Sequence, residues 1–216
     1  MAKNKSRSIL EARGTFPSQA IDALVRGKCI ASDTTIGAGQ IQPSSFDLTL
    51  SEEAYQLPGS FLPLPGESVD GIVQQYSKAY RRKPLDLSTP TLLDRGKVYL
   101  IRLRESFKLP TGVAAYTNNK SSTGRIDLAT RVICDGNPRY DKIPAGYAGR
   151  LWLEVTPKSF DVVVEAGVSL NQAIFYRDRT ILRTGELQKI YTPDPLLTIR
   201  KAARFRLTVS WWRMGF

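Results

Sequence analysis

At 216 residues, 42% hydrophobic and 24% charged, the chain is long enough for one ordinary domain with a real core, and no apolar run nears the roughly 20 residues that span a bilayer. It has no histidine and two cysteines, Cys29 and Cys134, in no CxxC pair, which excludes zinc-dependent nucleoside deaminases, Ser-His-Asp and Cys-His hydrolases, and disulfide scaffolds. The net charge of +11 sits at the ends, with four Lys/Arg and one Glu in residues 1–13 and nine Lys/Arg against three acids in 177–216, so specific nucleic-acid binding is not expected of the nearly neutral middle.

The first element in chain order is a short helix from Pro17-Ser18, with Ser18 as cap, Ile21, Leu24 and Val25 on one face, and Gly27 as its end. Phe46, Leu48 and Leu50 then alternate with Asp47 and Thr49, the pattern of a strand with one buried face. Residues 57–66 hold Pro58, Gly59, Pro63, Pro65 and Gly66 and read as loop. The polar stretch 70–90, with its solvated Arg81-Arg82-Lys83 run, carries no decisive period. From Lys97 onward strands succeed one another: Val98–Ile101, Val113–Tyr116, Leu151–Val155, Asp161–Val164 and Gln172–Phe175, each bounded by Gly, Pro or polar turns. Short strands at this spacing behind one short helix predict a mainly β sandwich or jelly roll over residues 14–176. Residues 177–216 read as a basic extension: Thr184–Ile190 has a short-helix pattern, Pro193 and Pro195 break the chain beyond it, and Phe205–Trp212 alternates weakly. The basic N-terminus leads into no long apolar segment, so a secretory signal is not expected, and the few cysteines fit a reducing cytoplasm.

Two features carry chemistry. Lys120-Ser121-Ser122-Thr123-Gly124-Arg125 sets hydroxyls, backbone N–H groups at a glycine and flanking cations together, a combination suited to phosphate oxygens. It lacks the glycine spacing of a P-loop, and an ordinary solvated turn would look the same. Glu154 lies in Leu151-Trp152-Leu153-Glu154-Val155; strand alternation places it on one face with Trp152 and puts the other three on the opposite face. A carboxylate beside that much apolar surface suits general acid/base work if partly desolvated; otherwise it is an exposed strand residue. Asp127, Asp135 and Asp141 are candidates for a sugar hydroxyl or Mg²⁺, in a spacing that matches no metal motif. Gln172, after Asn171, is placed to read a base edge or to pair with backbone.

At these residues the sequence resembles the dCTP deaminase and dUTPase superfamily, in particular the branch whose long members carry two such domains in tandem. The resemblance rests on Gln42-Pro43-Ser44-Ser45-Phe46-Asp47-Leu48, the Lys120–Arg125 turn, Ile143-Pro144-Ala145-Gly146-Tyr147-Ala148-Gly149, the Glu154 strand and Gly167 through Phe175, together spanning residues 16–176. It implies a dUTPase-like jelly-roll or β-clip domain assembled as a trimer with sites between subunits. It also implies zinc-independent hydrolysis of dCTP to dUTP and ammonia, with Mg²⁺ carried on the triphosphate. Under it Glu154 is the general base, and Arg125 and Ser121 position water and base. Lys120 and Ser122 lie on the phosphate side, Gln172 lies near the nucleotide, and Thr123, Gly124, Asp127 and Tyr147 complete the substrate-binding set. Pro144 stands where single-domain relatives carry an aspartate, and 216 residues hold one of the two tandem domains. The alternatives are a dUTP diphosphatase and a non-catalytic nucleotide-binding half-domain.

Overall fold

A computed structural model of the chain describes residues 9–80, 84–178 and 184–191. It divides into two compact units, Met1–Arg179 and Thr180–Phe216. The Arg81-Arg82-Lys83 run and the alternating Phe205–Trp212 stretch lie outside the described residues. Among those described, no helix is long and apolar enough to cross a membrane.

The first unit is built on an antiparallel sheet of ten strands. Its main path joins β3 (Phe46–Leu57), β6 (Val98–Lys108), β7 (Val113–Asn119), β8 (Leu128–Cys134), β9 (Lys142–Ile143), β10 (Ala148–Pro157) and β12 (Ser169–Arg177) in the order β8-β10-β6-β3-β12-β7-β9. The short strands β1 (Gly14–Thr15), β2 (Ile30–Ser32) and β4 (Leu85–Asp86) pair with β12, β6 and β3 respectively, while β5 (Thr91–Leu93) and β11 (Val162–Val164) form a separate two-stranded sheet. The fold is therefore mainly β, of jelly-roll type, with the sheet curled into a nearly closed barrel.

Asp141 provides the clasp. Its backbone N–H donates to Val132 O (2.9 Å) on β8 and its carbonyl accepts from Thr117 N (3.1 Å) on β7. Its Oδ1 accepts from both Val132 N (2.9 Å) and Thr117 Oγ1 (2.8 Å). A second stitch between the same strands runs from Asn119 Nδ2 to Leu128 O (2.9 Å) and from Thr130 Oγ1 to Asn119 Oδ1 (2.5 Å). These bonds join strands that stand near opposite ends of the sheet order, which is how an open sheet loses an edge.

The barrel interior is filled by the inward alternation of each strand, including Phe46, Leu48 and Leu50 on β3, Ile101 and Leu103 on β6, Leu151, Leu153 and Val155 on β10, and Phe175 on β12. Helix α1 (Ser18–Arg26) packs Ala20, Ile21 and Leu24 into the same core. Ser18 does not cap it: the N-cap is Pro17 and makes no side-chain bond, because Ser18 is already helical and its N–H is taken by Pro43 O (2.8 Å). Gly27 does close the helix, donating to Ala23 O (2.9 Å).

The ambiguous 70–90 segment contains a second helix, α2 (Val69–Tyr80). Ser68 Oγ accepts from Gly71 N (3.1 Å) in the manner of an N-cap, and Asp135 Oδ1, remote in sequence, accepts from Val69 N (2.8 Å). Together they satisfy amide groups that a helix start leaves open. Val69 and Val73 rest with Leu57, Leu100, Ile133 and Trp152 in a smaller core on the outer face of β10, β6 and β8. Trp152 is fully buried there. Trp152→Ala is expected to lower stability by about 3–5 kcal/mol, read as a drop in the denaturant midpoint at unchanged slope. A loss under about 1 kcal/mol would mean that this outer core is not packed in solution.

One acid points inward among the apolar side chains. Glu105 is 1% exposed, and its carboxylate accepts from Thr49 N (2.8 Å), Thr49 Oγ1 (2.7 Å) and Gln40 Nε2 (2.9 Å). Burial nonetheless pushes this carboxyl above the usual range, with those three donors pulling against it. The folded chain thus holds this proton to higher pH than the unfolded chain, so its contribution to stability is full at acid pH and is lost as pH rises through the raised value. Thermal midpoints of wild type and Glu105→Gln, compared upward from the ordinary glutamate range near pH ~4, are expected to diverge in favour of the variant as pH rises. The reverse trend would refute this reading of Glu105.

The second unit is described only at α4 (Thr184–Tyr191), the short helix foreseen at 184–190, with Glu186 in its first turn and Lys189 in its last, the charge order that suits a helix dipole.

Candidate active site

The phosphate-suited segment is a one-turn helix and not a flexible turn. Helix α3 (Ser121–Arg125) links β7 to β8, with Gly124 N–H donating to Lys120 O (3.0 Å). Thr123 is buried and anchors α3, whereas Ser121, Ser122, Gly124 and Arg125 are exposed. The outward set is therefore two hydroxyls and a guanidinium on a backbone fixed at both ends. Arg125 stays charged at any working pH, so it can hold an anion or a carbonyl without titrating.

Lys120, at the start of α3, forms an ion pair with Asp47 of β3. Asp47 is 5% exposed, and its second oxygen, Oδ1, is buried without a partner. In the sheet Asp47 stands opposite Gln172 of β12, whose Oε1 accepts from Ser45 Oγ (2.9 Å). Lys120, Asp47, Gln172 and Ser45 thus converge on the outer face beside α3. An ammonium has three donors, and the pair with Asp47 uses one, so Lys120 can still serve an anion. Asp47 and Ser45 entered the sequence reading through the strand pattern and the resemblance, and not as site residues. Their signal was the alternation itself, which turns Asp47 away from the core that Phe46 and Leu48 enter.

Asp127 ends α3 in the left-handed region (φ 52), which short polar side chains tolerate. Its N–H donates to Gly124 O (3.1 Å), its carbonyl accepts from Lys158 N (3.1 Å) and its Oδ2 accepts from Ser159 Oγ (2.6 Å). The three aspartates grouped in the sequence do not converge. Asp127 clamps α3, Asp135 caps α2 and Asp141 clasps β7 to β8, and no three metal-type side chains gather among the described residues.

Glu154 lies on β10 facing Arg131 on β8 and Leu100 on β6. Alternation holds: Leu151, Leu153 and Val155 enter the barrel while Trp152 and Glu154 take the outer side. Glu154 as a residue is 7% exposed, and its Oε2 accepts from Tyr140 Oη (3.2 Å). Arg131 lies over the Tyr140 ring at 4.9 Å. Burial, reinforced by the Glu154 charge, pushes the Tyr140 phenol up, with Ser60 acting against the shift.

Tyr147 is a third location. It comes after a tight turn in which Gly146 adopts φ 72 and Tyr147 N–H returns to Pro144 O (3.2 Å). Its hydroxyl donates to Arg150 O (2.5 Å) and accepts from Asp135 N (3.3 Å), and burial pushes its phenol well up. The β8–β10 ladder runs from Leu128–Pro157 beside α3 to Cys134–Leu151 near Tyr147, about 20 Å at ~3.3 Å per residue. Glu154 lies three pairs along that ladder from Pro157, roughly 10 Å. Among the described residues no hydrogen bond or ion pair joins Glu154 to residues 120–125.

Residues 12–179 match the family described as the 2'-deoxycytidine 5'-triphosphate deaminase (DCD) N-terminal domain, and the chain belongs to that family. Among solved structures it is similar to 2'-deoxycytidine 5'-triphosphate deaminase from Agrobacterium tumefaciens, at 39% identity and TM-score 0.77, over 85% of this chain and 54% of that one. The chain thus spans about half the length of that relative. The native dUTPase of EIAV matches at 11% identity and TM-score 0.41, over 72% of this chain and 92% of that one. A dUTPase mutant from phage phi11 of S. aureus matches at 14% and 0.34, over 44% and 75%. No curated protein matches the chain.

Proposed function

We propose that this chain is a hydrolytic dCTP deaminase whose site is completed between subunits of a homotrimer. The observation that carries it is Glu154: a buried strand residue whose carboxylate has one oxygen tethered to Tyr140 and the other without a protein hydrogen bond among the described residues, in a chain of the deaminase family.

Glu154 takes a proton from water as the water oxygen bonds to C4 of the cytosine. The proton passes to the exocyclic amine, the C4–N bond breaks and ammonia leaves, and the second water proton moves from the C4 hydroxyl to N3 as the C4 carbonyl of dUTP forms. Ser121 and Arg125 of a neighbouring copy position the water and the base, and Lys120, Ser122 and the α3 backbone meet the triphosphate. Mg²⁺ enters on the triphosphate oxygens as part of the substrate. The water is activated by the carboxylate without zinc, in keeping with a chain that has no histidine to ligate it.

The test is direct. Purified protein is incubated with Mg²⁺ and either dCTP or dUTP, and ammonia and diphosphate are measured. Ammonia from dCTP supports the proposal. Diphosphate from dUTP without ammonia makes the chain a diphosphatase, and nucleotide binding with neither product makes it a non-catalytic half-domain; either result overturns it.

A further inference from the structure

We propose that Tyr140 is a positioning residue for Glu154, held in place by Arg131, and that it fixes which carboxylate oxygen meets the water. The inference rests on the reading of Glu154 as the base, and it concerns residues that neither the family resemblance nor the Lys120–Arg125 segment pointed to.

Tyr140 lies in the connection between β8 and β9, just before the Asp141 clasp that ties that connection to β7 and β8. The clasp fixes the backbone from which the Tyr140 ring reaches Glu154. Its hydroxyl donates to Oε2 at 3.2 Å, while Oε1 accepts from no protein donor among the described residues. The two oxygens of one carboxylate are thereby made unequal: one is anchored and the other is left to water. A side chain with three rotatable bonds gains orientation from such an anchor, and a base is effective only when its free lone pair faces the proton it takes.

Arg131 makes the anchor rigid. It stands directly across from Glu154 on β8, and its guanidinium sits 4.9 Å over the Tyr140 ring. The cation therefore holds the ring by its face and is not spent in an ion pair with Glu154 among the described residues. That difference matters chemically. A guanidinium bonded directly to the carboxylate would weaken it as a base, whereas a neutral phenol orients it with less loss. The other groups around the pair are Ser60, which acts on the phenol against burial, and the apolar Leu100, Ile133 and Trp152.

Tyr140→Phe removes the donor and keeps the ring on which Arg131 rests, so the fold and the stack are preserved. In that variant kcat for ammonia release from Mg·dCTP is expected to fall about 10–100-fold, the size of effect that outer-shell partners have on the groups they orient, with KM within about threefold. A purely structural role would not lower kcat alone while leaving KM in place. If kcat stays at its wild-type value in Tyr140→Phe while Glu154→Gln is inactive, Tyr140 does not position the base, although Glu154 remains one. If Glu154→Gln retains full turnover, the underlying reading fails instead. A measurement without turnover completes the set: in ring-labelled protein, with the Tyr140 signal assigned by its loss in Tyr140→Phe, the phenol should titrate at lower pH in Glu154→Gln than in wild type. An unmoved titration would show that the two groups do not meet in solution, and would overturn the proposal whatever the kinetics.

Discussion

Glu154→Gln is expected to reduce ammonia release from dCTP by about 10²–10⁴-fold, the contribution of a positioned general base, while leaving nucleotide affinity within a few-fold of wild type. The substitution is nearly isosteric. It keeps an oxygen that can accept from Tyr140 and keeps the packing of Trp152 beside it, so the outer core should stand. What it removes is the lone pair that takes a proton. The measurement is kcat from ammonia production with Mg·dCTP in excess, beside dCTP affinity by calorimetry. Affinity lost together with turnover would recast Glu154 as a binding group. Turnover retained would remove it from the chemistry altogether.

Two variants that are each inactive should recover activity when mixed. Within one chain Glu154 and α3 make no hydrogen bond or ion pair among the described residues. The geometry that unites them is therefore proposed to come from a neighbour, with Glu154 from one copy and Ser121 and Arg125 from the next. Co-refolding equal amounts of Glu154→Gln and Arg125→Gln then gives sites that draw the native Glu from one variant and the native Arg from the other. Random assembly makes about a quarter of sites intact, since each position is native half the time. Recovery of about a quarter of wild-type turnover, against near zero for either variant alone, is the expected result. No recovery from a mixture shown by native mass spectrometry to contain mixed oligomers would place the site within a single chain or remove it.

Much of the fold was legible because its signals are local. The alternation of Phe46, Leu48 and Leu50 and of Leu151, Leu153 and Val155 gave strands and their buried faces, and the same alternation put Glu154 on the outer side with Trp152. Helix α2 was not legible: Gly71 and a run of polar residues diluted its period, and one of its amide acceptors, Asp135, lies far along the chain. Ser18 looked like a cap because serine before an apolar period usually is one, yet Pro17 takes that position and Pro43 supplies the acceptor. The three loop aspartates looked like one acidic group because they are close in sequence, and the fold sends them to three different tasks.

By itself the sequence determined that this is a mainly β chain without histidine, and it named the hydroxyl-rich segment and the β10 acid Glu154, because composition and strand period are properties of neighbouring residues. Tertiary structure alone decided that Lys120 pairs with Asp47 across 73 residues, that Tyr140 reaches Glu154, and that no hydrogen bond or ion pair joins Glu154 to α3 among the described residues. Those outcomes depend on sheet order and on where loops return, which bring together side chains with no periodic relation along the backbone.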